Sequence, residues 1–145
     1  MKITVGCDHG ALSLKESVKA VLSELGAEVS DVGTYTEDSV DYPDIAKKVC
    51  EAVVKGDAEK GVALCGTGIG ISIAANKIKG IRCALCSDVY SARMARAHND
   101  ANVLALGGRV TGPGLAGDIV RAFFTQEFEG GRHARRVDKI TALEK

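Results

Sequence analysis

The chain has 145 residues, the length of one compact domain, and roughly 68–70% of its unfolded surface is expected to be buried on folding, enough for a core without disulfides. Nineteen Lys and Arg against nineteen Asp and Glu leave no net charge, which excludes the basic excess of a dedicated nucleic-acid binder. No run of eighteen apolar residues occurs, so no membrane-spanning helix is expected; Asp8 comes too early for an export signal, and the five cysteines are expected to be reduced in a cytoplasmic protein.

With 4% aromatic residues and no Trp, the core must be aliphatic and rich in small residues, and the seventeen glycines cluster in short groups. Lys2–Cys7 reads as a first strand. Leu14, Val18, Val21, Leu22 and Leu25 then recur at spacings of three and four, an amphipathic helix stopped by Gly26. Glu28–Val32 is a second strand, and Asp44–Val54 a helix with Ile45, Val49, Ala52 and Val53 on one side. Gly61–Cys65 is a third strand, and Ile69–Lys77 a helix leaving a glycine cluster. Ile81–Cys86 is a fourth strand followed by a helix over Val89–Ala97, and Val103–Leu106 a fifth followed by a helix over Leu115–Phe124. From Gly131 to Leu143 the chain is polar and weakly helical, and it is not expected to fold back as core on its own subunit. Strict alternation of strand and helix implies parallel strands joined by crossover helices. The expected fold is therefore a Rossmann-like, three-layer α/β/α sandwich with a five-stranded parallel sheet, one domain over residues 1–145.

In such sheets ligands bind beyond the carboxyl ends of the strands. Asp8 and His9 follow the first strand, Cys65-Gly66-Thr67-Gly68-Ile69-Gly70 the third, and Gly107-Gly108-Arg109 the fifth, with His98 and Asn99 just before it. Acid, base and nucleophile types are thus expected near one edge. A glycine-rich turn opening a helix offers free N–H groups to an oxyanion and lowers the pKa of a thiol beside it, so Cys65 is a candidate base or nucleophile. The same residues also describe a tight turn over a buried cysteine.

Other chemistries fit less well. A dinucleotide fingerprint would need glycine at position 71, which is Ile71, although Asp88 lies about twenty residues on, where a ribose-binding acid would stand. Cys83 and Cys86 form a C-x-x-C inside a strand, where residues three apart face opposite ways and cannot readily share an ion. His98 could be a helix cap, stabilised by the dipole, or a functional group. Arg132 and Arg136, four apart, share a helix face and could hold a phosphate or belong to a solvated tail.

Taken together, Gly6–Ala11, Asp41-Tyr42-Pro43, Cys65–Gly70, His98–Asn102, Gly107-Gly108-Arg109 and Gly130–Val137 resemble the ribose-5-phosphate isomerase B family, which includes the galactose-6-phosphate isomerase subunits; the resemblance runs from residue 3 to about residue 140. It implies a metal-free, cofactor-free enzyme that interconverts an aldose phosphate and a ketose phosphate. Cys65 would take the proton from C2, the following helix carrying no glutamate that could replace it. Thr67 and the N–H groups of Gly66, Thr67, Gly68, Ile69 and Gly70 would hold the enediolate oxygens. His98 would open the sugar ring, with Asn99 assisting binding. Asp8 and His9 would contact the substrate, and Arg109, Arg132 and Arg136 with His9 would hold its phosphate. Tyr42 would line the pocket. The resemblance further implies a homodimer, in some members paired into a tetramer, with residues of both subunits at each site. Ribose 5-phosphate is the expected substrate. Allose 6-phosphate or galactose 6-phosphate is the alternative, and a nucleotide- or phosphate-binding module is the alternative of a different class.

Overall fold

A computed structural model describes residues 1–144. The strands are β1 (Lys2–Cys7), β2 (Glu28–Asp31), β3 (Lys60–Cys65), β4 (Cys83–Leu85) and β5 (Val103–Gly107). The helices are α1 (Leu12–Glu24), α2 (Tyr42–Val54), α3 (Ile69–Ala75), α4 (Val89–Ala97), α5 (Pro113–Thr125) and α6 (Arg132–Thr141). The sheet has the order β2-β1-β3-β5-β4 with every neighbouring pair parallel, as the alternation of elements predicts.

Side chains alternate across the sheet and divide the core in two. Val62 and Leu64 of β3 join Val18, Leu22, Ile119 and Phe123 under α1, α4 and α5. Ala63 and Cys65 join Ile45, Val49 and Ile71 under α2 and α3. The second face is built of small residues, so α2 lies close: a Cβ at Gly61 would sit 2.7 Å from Val49 Cγ1. Cys83 packs on the α2–α3 side and Cys86 on the other, so the two thiols face apart as the strand geometry requires.

Most element boundaries shift by a residue or two from the sequence reading, and three changes bear on the architecture. α2 begins at Tyr42, because Pro43 fits the first helical turn, where its missing N–H has no role. β4 shrinks to Cys83–Leu85 at the sheet edge. The tail forms α6, with His133 and Val137 buried against the chain itself and Gly80 N–H donating to the Glu144 carboxylate at 2.9 Å. His133, Val137 and Ile140 recur at helical spacing, so the segment has an apolar stripe and docks, contrary to the expectation of a detached tail. Asp88 caps α4, accepting from Ser91 N–H at 2.6 Å, which gives that acid a structural role.

The expectation that His98 and Asn99 share the edge bearing Cys65 is not met. α4 starts at the carboxyl end of β4 and carries the chain back across the sheet, so both residues emerge at the amino ends of the strands. Just beyond them, Asn102 O accepts from Gly61 N–H at 3.0 Å, level with the start of β3. Their turn is fixed by Asp100, at φ 47°, whose carboxylate meets Arg96 Nη1 at 2.8 Å and Arg82 Nη2 at 3.4 Å.

Candidate active site

Beyond the carboxyl ends of β1, β3 and β5 lies a cavity of about 380 Å³. Asp8 from β1, Cys65, Gly66 and Thr67 from the β3 turn, and Arg109 from the β5 turn converge on it, with Tyr42, Ile69 and Gly70 completing the wall. The turns are locked together: Gly108 N–H donates to Cys65 O and Arg109 N–H to Gly66 O, each at 2.9 Å. Gly68, at φ 78°, makes the left-handed turn into α3, and a Cβ there would lie 2.6 Å from Leu85 Cδ1, so both conformation and space demand glycine. Tyr42 lies over Gly70 so closely that a Cβ on it would meet the ring at 2.6 Å.

Cys65, 4% exposed, lines the cavity, and its Sγ accepts from Gly68 N–H at 3.1 Å, which fixes the sulfur against the turn. The Thr67 hydroxyl accepts from Ile69 N–H at 3.2 Å. Two of the five amides expected to hold oxyanions are therefore engaged locally. Gly70 N–H, with no carbonyl one turn behind it, lies at the cavity wall, and Gly68 lies behind the wall. Asp8 is buried, its carboxylate accepting from Gly10 N–H at 2.8 Å. His9 does not line the cavity; its Nδ1 accepts from Val40 N–H at 3.2 Å, so the neutral ring carries its proton on Nε2. Burial pushes the thiols of Cys7 and Cys86 up to about 11 and that of Cys50 up to about 12, and raises Cys83 as well. None of these four is a base at neutral pH.

The remaining expected residues form a second group. His98 stacks on His133 with ring centroids 4.1 Å apart and planes 8° off parallel. Arg132 and Arg136 are exposed on α6 beside them. Asn99 lines a larger cavity, about 590 Å³, between β4 and α6, whose wall holds Arg82, Cys83 and Glu144 but lies away from the carboxyl ends of β1, β3 and β5; burial raises the Cys83 thiol, so it is no base at neutral pH. Gly61 and Cys65 alone are about 13 Å apart along β3, at roughly 3.3 Å per residue. Within one chain the two groups do not meet. Sequence reasoning gave no role to Glu129 or His133, although His133 stands on the apolar stripe of α6.

The family described as Ribose/Galactose Isomerase matches residues 3–140. The chain belongs to that family. It is 52% identical to ribose-5-phosphate isomerase B of Escherichia coli over 143 residues, 99% of this chain and 96% of that protein. It is 45% identical to D-erythrulose-4-phosphate isomerase of Pectobacterium atrosepticum over 141 residues, 97% and 93% of the two chains. The solved ribose-5-phosphate isomerase B of Clostridium thermocellum superimposes with a TM-score of 0.97 at 56% identity, covering 99% of this chain and 97% of that one.

Proposed function

We propose that the chain interconverts ribose 5-phosphate and ribulose 5-phosphate, as in the non-oxidative pentose phosphate pathway. The reaction moves hydrogen between C1 and C2 with no net change of oxidation state, so positioned proton donors and acceptors suffice. Cys65 Sγ takes the proton from C2 and returns it to C1, while the O2 hydroxyl proton passes to O1, so the carbonyl moves from C1 to C2. The Thr67 hydroxyl and the N–H groups of Gly66 and Gly70 hold the enediolate oxygens, where charge develops. Asp8 binds sugar hydroxyls. Arg109, with His9 Nε2–H, receives the phosphate together with Arg132 and Arg136. His98 opens the ring and Asn99 orients the substrate. The five cysteines are all free thiols, which fits a reducing, cytoplasmic compartment.

The last four residues act from a second copy. They lie at the amino edge of the sheet, and Cys65 at the carboxyl edge, so a substrate on Cys65 can meet them only across a two-fold interface. Exposed apolar side chains, Tyr42 and Ile69 on the cavity wall and Ile73 and Leu85 on the adjoining α3 and β4, support such a contact. The proposed assembly is a homodimer.

One observation carries the reading: a thiol, a buried carboxylate and a guanidinium from three different strand ends converge on one cavity of about 380 Å³. The test is isomerisation of ribose 5-phosphate in chelator-treated buffer, compared by kcat/KM with four-carbon and six-carbon sugar phosphates; ribose 5-phosphate is expected to rank first. Cys65→Ala should lower kcat by about 100-fold or more while KM changes little, since the loss falls on the transition state. A variant keeping more than roughly a tenth of the wild-type kcat would remove Cys65 as the base.

A further inference from the structure

We propose that His98, Glu129 and His133 form a binding site for a divalent transition-metal ion, zinc first, and that the bound ion takes His98 out of the reaction. The inhibition, though not the binding, rests on the ring-opening role given to His98 above.

The three side chains converge from separate pieces of chain. His98 ends α4, Glu129 lies in the segment after α5, and His133 stands in the first turn of α6. Their donor atoms all lie within 4.8 Å of one another. Glu129 Oε1 is 3.5 Å from His133 Nε2 and 3.9 Å from His98 Nε2. These distances are long for well-formed hydrogen bonds. They match a shared ion better: metal–nitrogen and metal–oxygen bonds near 2.1 Å at tetrahedral angles place the ligand atoms about 3.4 Å apart.

The backbone fixes this arrangement independently of any ion. Glu129 N–H donates to Ala97 O at 3.0 Å, tying the segment to the end of α4, and His133 N–H donates to Gly130 O at 3.0 Å. Parallel rings cannot both point their lone pairs at one ion, so binding must swing one of them. His98, with 39% of its side chain exposed against 9% for His133, is the one free to turn. Two imidazoles and one carboxylate select zinc and its neighbours over calcium or magnesium, which prefer all-oxygen shells. A fourth position stays open to water. Arg132 and Arg136 oppose a dication, and the Glu129 charge offsets part of that opposition.

The experiment titrates chelator-stripped protein with zinc chloride by calorimetry and follows isomerisation of ribose 5-phosphate in the same buffer, each variant being compared with its own zinc-free rate. One ion per chain is expected, with inhibition that tracks occupancy and is reversed by EDTA. Glu129→Gln and His133→Ala should each weaken binding by about tenfold or more and shift inhibition in parallel. Glu129 is half-exposed, so its variant tests the site even where loss of the buried His133 disturbs folding. No saturable binding, or binding equally tight in Glu129→Gln, overturns the site. Binding lost in both variants without inhibition of the wild type overturns the inhibitory role, and the ring-opening assignment with it, while the ion site stands.

Discussion

His98 and Cys65 divide the proposed chemistry between ring opening and proton transfer at carbon, and the two directions of the reaction separate them. Ribulose 5-phosphate carries its phosphate on the oxygen that would close a furanose ring, so it enters without an opening step. His98→Ala should therefore lose much more turnover on ribose 5-phosphate than on ribulose 5-phosphate at early times. Equal losses would make His98 a binding residue only. At this scale the sequence was informative about residue type and poor about place. Cys65, Thr67 and Arg109 were legible because each follows a parallel strand directly, and such residues must appear at the carboxyl edge. The same rule read backwards would have placed His98 correctly: a residue that ends a helix and precedes a parallel strand emerges at the amino edge. Glu129 stayed hidden because it lies in a segment with no periodicity and meets His98 through a long-range backbone bond to Ala97 at the end of α4.

Among the elements, α1 and β2 are joined by an ion pair under the helix. Lys15, 1% exposed, meets Asp31 Oδ1 at 3.0 Å and donates to Thr34 O at 2.6 Å, while Lys19 meets Asp31 Oδ2 at 2.9 Å. Burial alone would raise Asp31, but hydrogen bonds from Lys19, Gly33 N–H and Lys15 outweigh it, and the carboxyl ionises below its ordinary range. A lowered native pKa stabilises the fold fully above the unfolded value, near ~3.9, and this stabilisation is lost as pH falls through the native value. Asp31→Asn leaves Lys15 buried without its counter-charge, at a cost of about 3–5 kcal/mol near neutrality. Urea midpoints across pH should show the gap to wild type closing below about pH 4; a gap constant down to about pH 3 would refute the ionic origin. The pair was not read from the sequence, and α6 was read only as a weakly helical polar tail, without its docking. A lysine facing the core looks like any helix lysine, and the polar composition of α6 masked its narrow stripe of His133, Val137 and Ile140. The five strands were legible because buried parallel strands are short, continuous and apolar.

For the whole molecule, the proposed shared site makes a genetic-style test decisive. Chains carrying Cys65→Ala and chains carrying His98→Ala should each be inactive on ribose 5-phosphate, yet co-refolding them should restore roughly a quarter of wild-type activity on that substrate. About half the dimers are then mixed, and each mixed dimer holds one doubly damaged site and one intact site. No recovery, with mixed dimers verified by native mass spectrometry, would return both groups to one chain. The helix that ferries the chain from one rim of the sheet to the other thus has a consequence for mass action. With the proposed reacting groups on opposite rims of each subunit, the proposed shared site has no working solitary form. On dilution below the dimer dissociation constant, its rate should fall with the square of protein concentration, so the amount of enzyme made sets whether it works at all as well as how fast.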